Sequence, residues 1–323
     1  MCSNVPSRRA WATLLTRESY LAGAVLLSHS LHKNNSAYPL IILYTPSLPA
    51  SVLPALEREA ELTNAMLKPI EMLVPTEQGT LIAERFRDTW TKLRVFELFE
   101  WERICFLDAD MLTFKNMDEL FDIQFPDSGS WLAATHVCVC NLDSDKWAPE
   151  DWTVENCAFT GLQHPTALSK PYPVPPIGTG KKTHTILNGG LFLFEPSREV
   201  WESIIKFLDT NPSLRDFKFP DQDFLAEFFK GRWISIGWQY NALKTWKYWH
   251  PEMWRDEEVK NLHYIVDKPW AKKIETDGKA GYLGNDGATH SWWWKEFEKW
   301  ELERRQKIEN ASLDLMRKHI ANH

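Results

Sequence analysis

Residues 103–111 read Arg-Ile-Cys-Phe-Leu-Asp-Ala-Asp-Met, and no other stretch limits the available folds as strongly. Ile104 to Leu107 is an apolar run bounded by charge, long enough for one buried strand. It ends at once in Asp108-Ala109-Asp110. In an open α/β sheet, ligands gather beyond the carboxyl ends of the strands. Two carboxylates one residue apart, at such an end, can turn toward one hard cation. Mn²⁺ or Mg²⁺ held by oxygen ligands keeps positions open for diphosphate oxygens. One reading of Asp108 and Asp110 is therefore a metal–diphosphate site. The other is a solvated turn after a strand.

The pattern on either side of this stretch is α/β. Ala10 to Leu15 reads as a strand, Tyr20 to Leu31 as a helix and Pro39 to Tyr44 as a second strand. Val52 to Leu62 reads as a helix, with Leu53, Leu56 and Ala60 on one face, and Ile70 to Val74 as a third strand. Trp90 to Trp101 is predicted as a helix with Lys92 in its first turn, and Met117 to Phe121 as a short helix. Strands and helices alternating over short connections imply a mostly parallel, right-handed sheet.

After a predicted strand at Trp131 to Val137 the character changes. Residues 141–182 hold six prolines with polar residues between them, which core elements do not tolerate. So long a segment reads either as a substrate-facing loop or lid, or as a mobile surface insert. Order returns in the strand Thr185 to Phe194, broken by Asn188-Gly189-Gly190, where glycines mark close approach of a ligand or another backbone. Helices are predicted over Ser197 to Leu208 and, led into by Phe219 to Phe224 with Asp221 near the start, through Phe229. A carboxylate at the position of Asp221 can simply cap free N–H groups. Asn261 to Val266 is a late strand containing His263, and a lone strand histidine is ordinarily a packed residue. Trp292 to His319 reads as one amphipathic helix with Trp293, Phe297, Trp300 and Ile308 on one side. It is expected to clamp the domain, and its aromatic face is a candidate homo-oligomer interface.

Composition removes several classes. With 323 residues the chain forms one large domain or two small ones. A net charge of −7 argues against a general nucleic-acid surface but not against local phosphate binding. Seventeen Trp suit sugar-stacking surfaces, though core and rim packing account for most such residues. Five Cys do not make a disulfide framework. Cys138-Val139-Cys140 and Cys157 can nonetheless cluster, and Cys-x-Cys binds metals in some settings. Met1 to Ala10 shows no signal sequence, and the apolar runs fall far below the roughly 20 residues that span a bilayer. A reducing, cytoplasmic location with no membrane span is the expectation.

Five blocks in order resemble glycosyltransferase family 8, the group that includes glycogenin and plant galactinol synthase. Residues 12–20, Ala-Thr-Leu-Leu-Thr-Arg-Glu-Ser-Tyr, look like its first strand and uridine-binding turn. Thr91-Lys92-Leu93 followed by Phe106-Leu107-Asp108-Ala109-Asp110 is similar to its central block. Leu187-Asn188-Gly189-Gly190 resembles its Asn-x-Gly strand, Pro220-Asp221-Gln222-Asp223 its Asp-Gln helix start, and His263 with Lys268-Pro269-Trp270 its ending. The resemblance implies a GT-A fold: a Rossmann-like, mostly parallel α/β sheet flanked by helices. It would occupy residues 8–275, with 141–182 as an acceptor-side insert and 288–323 as a C-terminal helical extension.

Position by position, the resemblance implies that Leu14, Thr16 and Tyr20 hold the uracil and ribose. Asp108, Asp110 and His263 would bind Mn²⁺ or a similar divalent ion, with Ala109 and Gly189 contributing backbone to the donor site. Lys92 and Lys268 would supply positive charge, and Asn188, Asp221 and Gln222 would line the sugar. It further implies transfer with retention at the anomeric carbon, through Asp221 as stabiliser or transient nucleophile, or by a same-face route. Val266 stands where the family often has Gly, and the spacing from His263 to Lys268 is short by one or two residues. Arg17 replaces a smaller polar residue of glycogenin. Arg85 and Arg87, upstream of Lys92, read either as donor contacts or, more simply, as solvent-exposed. The stretch around His250-Pro251-Glu252 resembles the galactinol synthase branch rather than a glycogenin acceptor loop. The expected activity is transfer from UDP-galactose or UDP-glucose to a small polyol such as myo-inositol. A self-glucosylating protein and a UDP-sugar-binding protein without turnover stay open.

Overall fold

The computed structural model describes residues 8–75, 84–126 and 130–321. The expectation about an N-terminal signal rests largely on residues 1–7, outside that range. The first half runs β1 (Arg9–Leu15), α1 (Leu21–Lys33), β2 (Leu40–Tyr44), α2 (Leu53–Leu62), β3 (Ala65–Pro69), β4 (Arg103–Leu107), β5 (Met111–Thr113) and β6 (Leu132–His136). Then follow α3 (Thr166–Ser169), β7 (Leu187–Phe194), α4 (Arg198–Thr210), α5 (Pro220–Phe228) and β8 (Trp233–Ser235). The last part is β9 (Ala242–Leu243), α6 (Trp246–Trp249), β10 (Asn261–His263), α7 (Gly287–Gln306) and α8 (Asn310–His319). Seven strands make one sheet in the order β3-β2-β1-β4-β7-β6-β8, and β5-β10-β9 make a second. Pairing is parallel for β1 with β4, β2 with β3 and β6 with β8, and antiparallel for β6 with β7. The mostly parallel α/β sheet expected from the sequence is present. β4 and β7 are buried almost throughout, as strands covered on both faces must be.

Besides the late strand, which stops at His263 rather than Val266, three elements differ from the sequence reading. The third strand is Ala65–Pro69, not Ile70 to Val74. It lies at the sheet edge, half exposed, so it carries no continuous apolar run. Asn64, at φ 56°, turns the chain straight out of α2 into it. Second, the helix before β4 is a 3-10 helix spanning Glu84–Glu97. Trp90, Leu93 and Phe96 are all buried at a spacing of three, the period of a three-residue turn. Third, the C-terminal segment is two helices rather than one. Ile308 sits in the break at φ 59° and is 76% exposed, while Trp293, Phe297 and Trp300 are buried. The aromatic face expected as a possible interface is spent inside the chain.

The chain divides into two compact units: Met1–Ala12, Glu71–Phe106 and Asp118–Trp238 form the first, and Thr13–Ile70, Leu107–Met117 and Gln239–His323 the second. The first has a phenylalanine core. Phe96 packs within 5.9 Å of Phe192, Phe194 and Phe229, and Trp11 meets Phe121 edge-on at 4.8 Å. The proline-rich residues 141–182 form no strand and only short helical turns. They are tied down at buried His136, whose Nε2 donates to the Tyr172 carbonyl at 2.8 Å. Phe159, Tyr172 and Trp233 surround its ring.

In the second unit α7 and α8 pack on α1 and α2. Glu59, on α2, accepts from Arg304 Nε at 2.7 Å, Arg304 Nη2 at 2.9 Å and Trp300 Nε1 at 3.1 Å. Both charged side chains are 2% exposed, so this pair is fully withdrawn from water. Removing one partner of such a pair strands a buried charge. Arg304→Ala is therefore expected to lower unfolding free energy by about 3–5 kcal/mol, and Glu59→Met with Arg304→Leu to restore most of it. Urea unfolding of the three proteins measures this.

Burial lowers the His136 pKa from 6.5 to about 4. A base whose folded pKa is depressed binds its proton in the unfolded chain first. Its contribution to stability is complete above pH 6.5 and is lost as pH falls toward 4, an expected cost of about 3 kcal/mol once protonation is forced. His136→Gln keeps a donor for Tyr172 and cannot titrate. It should flatten the fall in urea midpoint between pH 7 and pH 4 relative to the unaltered protein.

Candidate active site

The metal candidates lie within the second unit, and local backbone geometry assembles them. After β4 the Met111 N–H donates to the Asp108 carbonyl at 3.1 Å, closing a four-residue turn. The chain then enters β5, which pairs antiparallel with β10 in a register that sets His263 opposite Met111. Tyr264 N–H donates to the Asp110 carbonyl at 2.9 Å, extending that ladder to the turn itself. His263 is thus carried across 153 residues of sequence to one residue from Asp110.

The side chains converge. His263 Nε2 is 3.3 Å from Asp110 Oδ1 and 3.8 Å from Asp108 Oδ2, and the three ligand atoms all fall within 4.8 Å of one another. His263 Nδ1 lies 2.9 Å from Asn241 Oδ1. That bond places a ring proton on Nδ1 and turns Nε2 toward the carboxylates. One imidazole and two carboxylates, one of them largely buried, suit a divalent ion such as Mn²⁺. Asp110 Oδ2 accepts from Lys268, whose Nζ also donates to the Tyr264 carbonyl at 2.8 Å. Burial alone pushes the Asp110 carboxyl up, but Lys268 and His263 outweigh it and hold the group well below the usual carboxylate range. Burial likewise disfavours the Lys268 ammonium, and Asp110 overcomes this and raises its pKa. The short His263-to-Lys268 spacing therefore does not keep Lys268 from Asp110.

Asn241 is fully buried and was not assigned a role by its sequence position; only its pairing with His263, 22 residues on, reveals one. Gly23 was missed for the same reason. A Cβ there would stand 2.2 Å from the Ala109 carbonyl and 2.6 Å from the Trp270 ring, so this glycine lets α1 pass directly behind the Asp-Ala-Asp turn. Tyr20 flanks the site. Its ring centroid is 5.6 Å from Lys268 Nζ and 6.2 Å from the Trp270 ring. Trp270 Nε1 donates to the Ser19 carbonyl at 2.8 Å. Thr16 accepts through its carbonyl from Ser47 Oγ at 2.6 Å, and Leu14 is half-buried at the end of β1.

A second constellation lies within the first unit. Lys92 Nζ pairs with Asp221 and donates to the Gly189 carbonyl at 3.0 Å, with 6% and 10% side-chain exposure for the ion pair. A Cβ on Gly189 would meet Gln222 Cα at 3.3 Å and Asp221 Oδ2 at 3.6 Å, so the strand glycine admits the start of α5. Asn188 Oδ1 accepts from Gly190 N at 2.9 Å. Asp221 caps no helix. Asp223 does the local capping instead, accepting from Lys218 N at 2.7 Å and Phe219 N at 2.9 Å. Lys92, Asn188, Gly189, Asp221 and Gln222 are therefore one cluster, as Asp108, Asp110, His263 and Lys268 are another. The side chains of Arg85 and Arg87 lie outside the described residues.

A family model described as glycosyl transferase family 8 matches residues 12–162 and 177–273. The chain belongs to that family. Among curated relatives, galactinol synthase 4 of Arabidopsis thaliana is 30% identical over 274 residues, covering 82% of this chain and 74% of the relative. Galactinol synthase 1 of Solanum lycopersicum is 28% identical over 290 residues, covering 88% and 80%. Among solved structures, the glycosyltransferase GlyE of Streptococcus pneumoniae TIGR4 superposes with a TM-score of 0.56 at 17% identity. The match covers 92% of this chain and 64% of the GlyE chain. The galactosyltransferase LgtC, in complex with donor and acceptor sugar analogs, gives 0.56 at 14% identity over 88% of this chain and 94% of its own. The fold is GT-A. This family 8 protein is a glycosyltransferase using a UDP-sugar donor, and enzymes of its family and fold use a divalent cation. The unmatched residues 163–176 fall in the proline-rich segment.

Val266, the departure from the family's glycine, has φ 61° and is 44% exposed. A β-branched residue is strained in that left-handed region. Val266→Gly is expected to raise stability by about 1 kcal/mol, read as a higher urea midpoint with unchanged slope.

Proposed function

We propose that this glycosyltransferase moves galactose from UDP-galactose to a small polyol such as myo-inositol, with retention at the anomeric carbon, using Mn²⁺. The proposed setting is the cytoplasm. The observation that carries the donor half is the convergence of Asp108, Asp110 and His263 with the histidine tautomer fixed by Asn241. The acceptor half rests on the galactinol synthase relatives, which span four fifths or more of the chain.

In this reading Asp108, Asp110 and His263 hold the cation, which supplies Lewis-acid stabilisation to the departing diphosphate. Leu14, Thr16 and Tyr20 bind the uridine. Lys268 adds positive charge for the diphosphate, and its pairing with Asp110 supports that role. Cleavage of a sugar–diphosphate bond builds positive charge on the ring. The Asp221 carboxylate, held by Lys92, is the group assigned to oppose that charge. Asn188 and Gln222 are assigned to the sugar hydroxyls, and Gly189 leaves space for them.

The test measures UDP release with Mn²⁺ from UDP-galactose and from UDP-glucose, with and without myo-inositol. The expected result is inositol-stimulated release from UDP-galactose, with an α-linked product by NMR. Asp110→Ala should abolish it. Asn241→Ala should weaken Mn²⁺ binding about 10–100-fold by loosening His263. Transfer that survives Asp110→Ala sinks the donor reading. Release that inositol leaves unchanged sinks the acceptor reading, and hexose-sized increments in intact mass would instead support self-glycosylation.

A further inference from the structure

The first unit contains a cysteine cluster that sugar transfer does not use. Cys138 and Cys140 follow directly on β6, and Cys157 closes the helical turn Val154–Asn156 within the proline-rich segment. All three are buried, at 8%, 3% and 3% exposure. Their sulfurs lie within 4.8 Å of one another, and Cys138 Sγ and Cys157 Sγ are 3.9 Å apart. None of the three is in a disulfide.

That spacing has a specific physical meaning. A sulfur–sulfur bond would need about 2.05 Å. Two thiolates bound to one tetrahedral zinc at about 2.3 Å each are separated by roughly 3.8 Å, the edge of the tetrahedron. The Cys138 and Cys157 sulfurs therefore sit at the edge length of a metal site, not at the separation of a bond, and the Cys140 sulfur lies within 4.8 Å of both. Thiolates are soft ligands, which select zinc or a similar thiophilic ion over the hard cations favoured by carboxylates.

We propose that Cys138, Cys140 and Cys157 bind one zinc ion, a structural site separate in ligands and chemistry from Asp108, Asp110 and His263. Each thiol gives up its proton to solvent on ligation. Three sulfurs fill three corners of the tetrahedron, and a nitrogen or oxygen donor takes the fourth. The ion ties residues 141–156, a loop without a strand and with only a terminal helical turn, to the end of β6. A metal clip at the two ends of such a loop removes loop-closure entropy from the unfolded chain.

The full-length protein, purified without a histidine tag from zinc-supplemented cells, should retain about one zinc per chain after dialysis against EDTA. Added Cd²⁺ should replace it and give the ultraviolet charge-transfer absorption of metal–thiolate bonds, with X-ray absorption reporting three sulfur neighbours and one lighter one. Cys157→Ser should reduce bound zinc at least tenfold, whereas Asp110→Ala should leave it in place. Stripping the ion with a stronger chelator should speed proteolytic cleavage within residues 141–156. If Cys157→Ser does not fold, the Cd²⁺ titration of the unaltered protein decides alone. No zinc and no thiolate absorption in the reduced protein overturns the proposal. So does a Cys138–Cys157 disulfide in the protein as isolated.

Discussion

The antiparallel pairing of β5 with β10 is the interaction on which the candidate metal centre depends. It brings a histidine from the last third of the chain beside a turn from the first third, and its register leaves no freedom about which residue arrives. His263 stands opposite Met111, and the Tyr264 N–H closes on the Asp110 carbonyl. A shift of one residue would turn His263 to the other face of the strand. The rest of the second unit reinforces that register. Gly23 allows α1 to lie against Ala109, Ser30 Oγ accepts from the Thr113 N–H at 3.1 Å, and Trp270 reaches back to Ser19.

Buried charge recurs among the described residues, and carboxylates there are held by cationic partners. Asp110 has Lys268, Asp221 has Lys92 and Glu59 has Arg304. Lys244 and Asp286 are both fully buried, 2.6 Å apart, at the entry to α7. Replacing such pairs with apolar side chains often costs little, while breaking one is expensive. What they supply is position. Asp110 is kept ionised in a site whose burial would otherwise favour a neutral carboxyl, and Asp221 is oriented by Lys92. The Glu59–Arg304 pair serves a different end, fixing α7 on α2.

Much of the architecture was legible because it rests on local pattern. Apolar runs marked β1, β2 and β4, and the run broken by Asn188-Gly189-Gly190 marked β7; in the structure Ser197 caps α4, accepting from Val200 N at 3.2 Å. Where local pattern was weak the reading slipped. The edge strand Ala65–Pro69 is half exposed and carries no buried run. The helix at Trp90 winds with a period of three, which over two turns resembles an α-helix. The break at Ile308 has no proline or glycine to mark it, since a left-handed isoleucine does the turning.

The sequence by itself determined which residues are candidates for the chemistry: the Asp108–Asp110 pair after a strand, Asn188-Gly189, Asp221-Gln222 and His263 with Lys268, each in a recognisable local block. Tertiary structure decided how they meet. Only the folded chain pairs His263 with Asp110, sets its tautomer through Asn241, gives Lys268 and Lys92 their carboxylate partners and gathers Cys138, Cys140 and Cys157 at the spacing of a metal site. The reason is range. Strand and helix signals arise between neighbours a few residues apart, whereas these contacts join segments up to 158 residues apart. At that separation the partner is chosen by sheet register and packing, which no short stretch of sequence encodes.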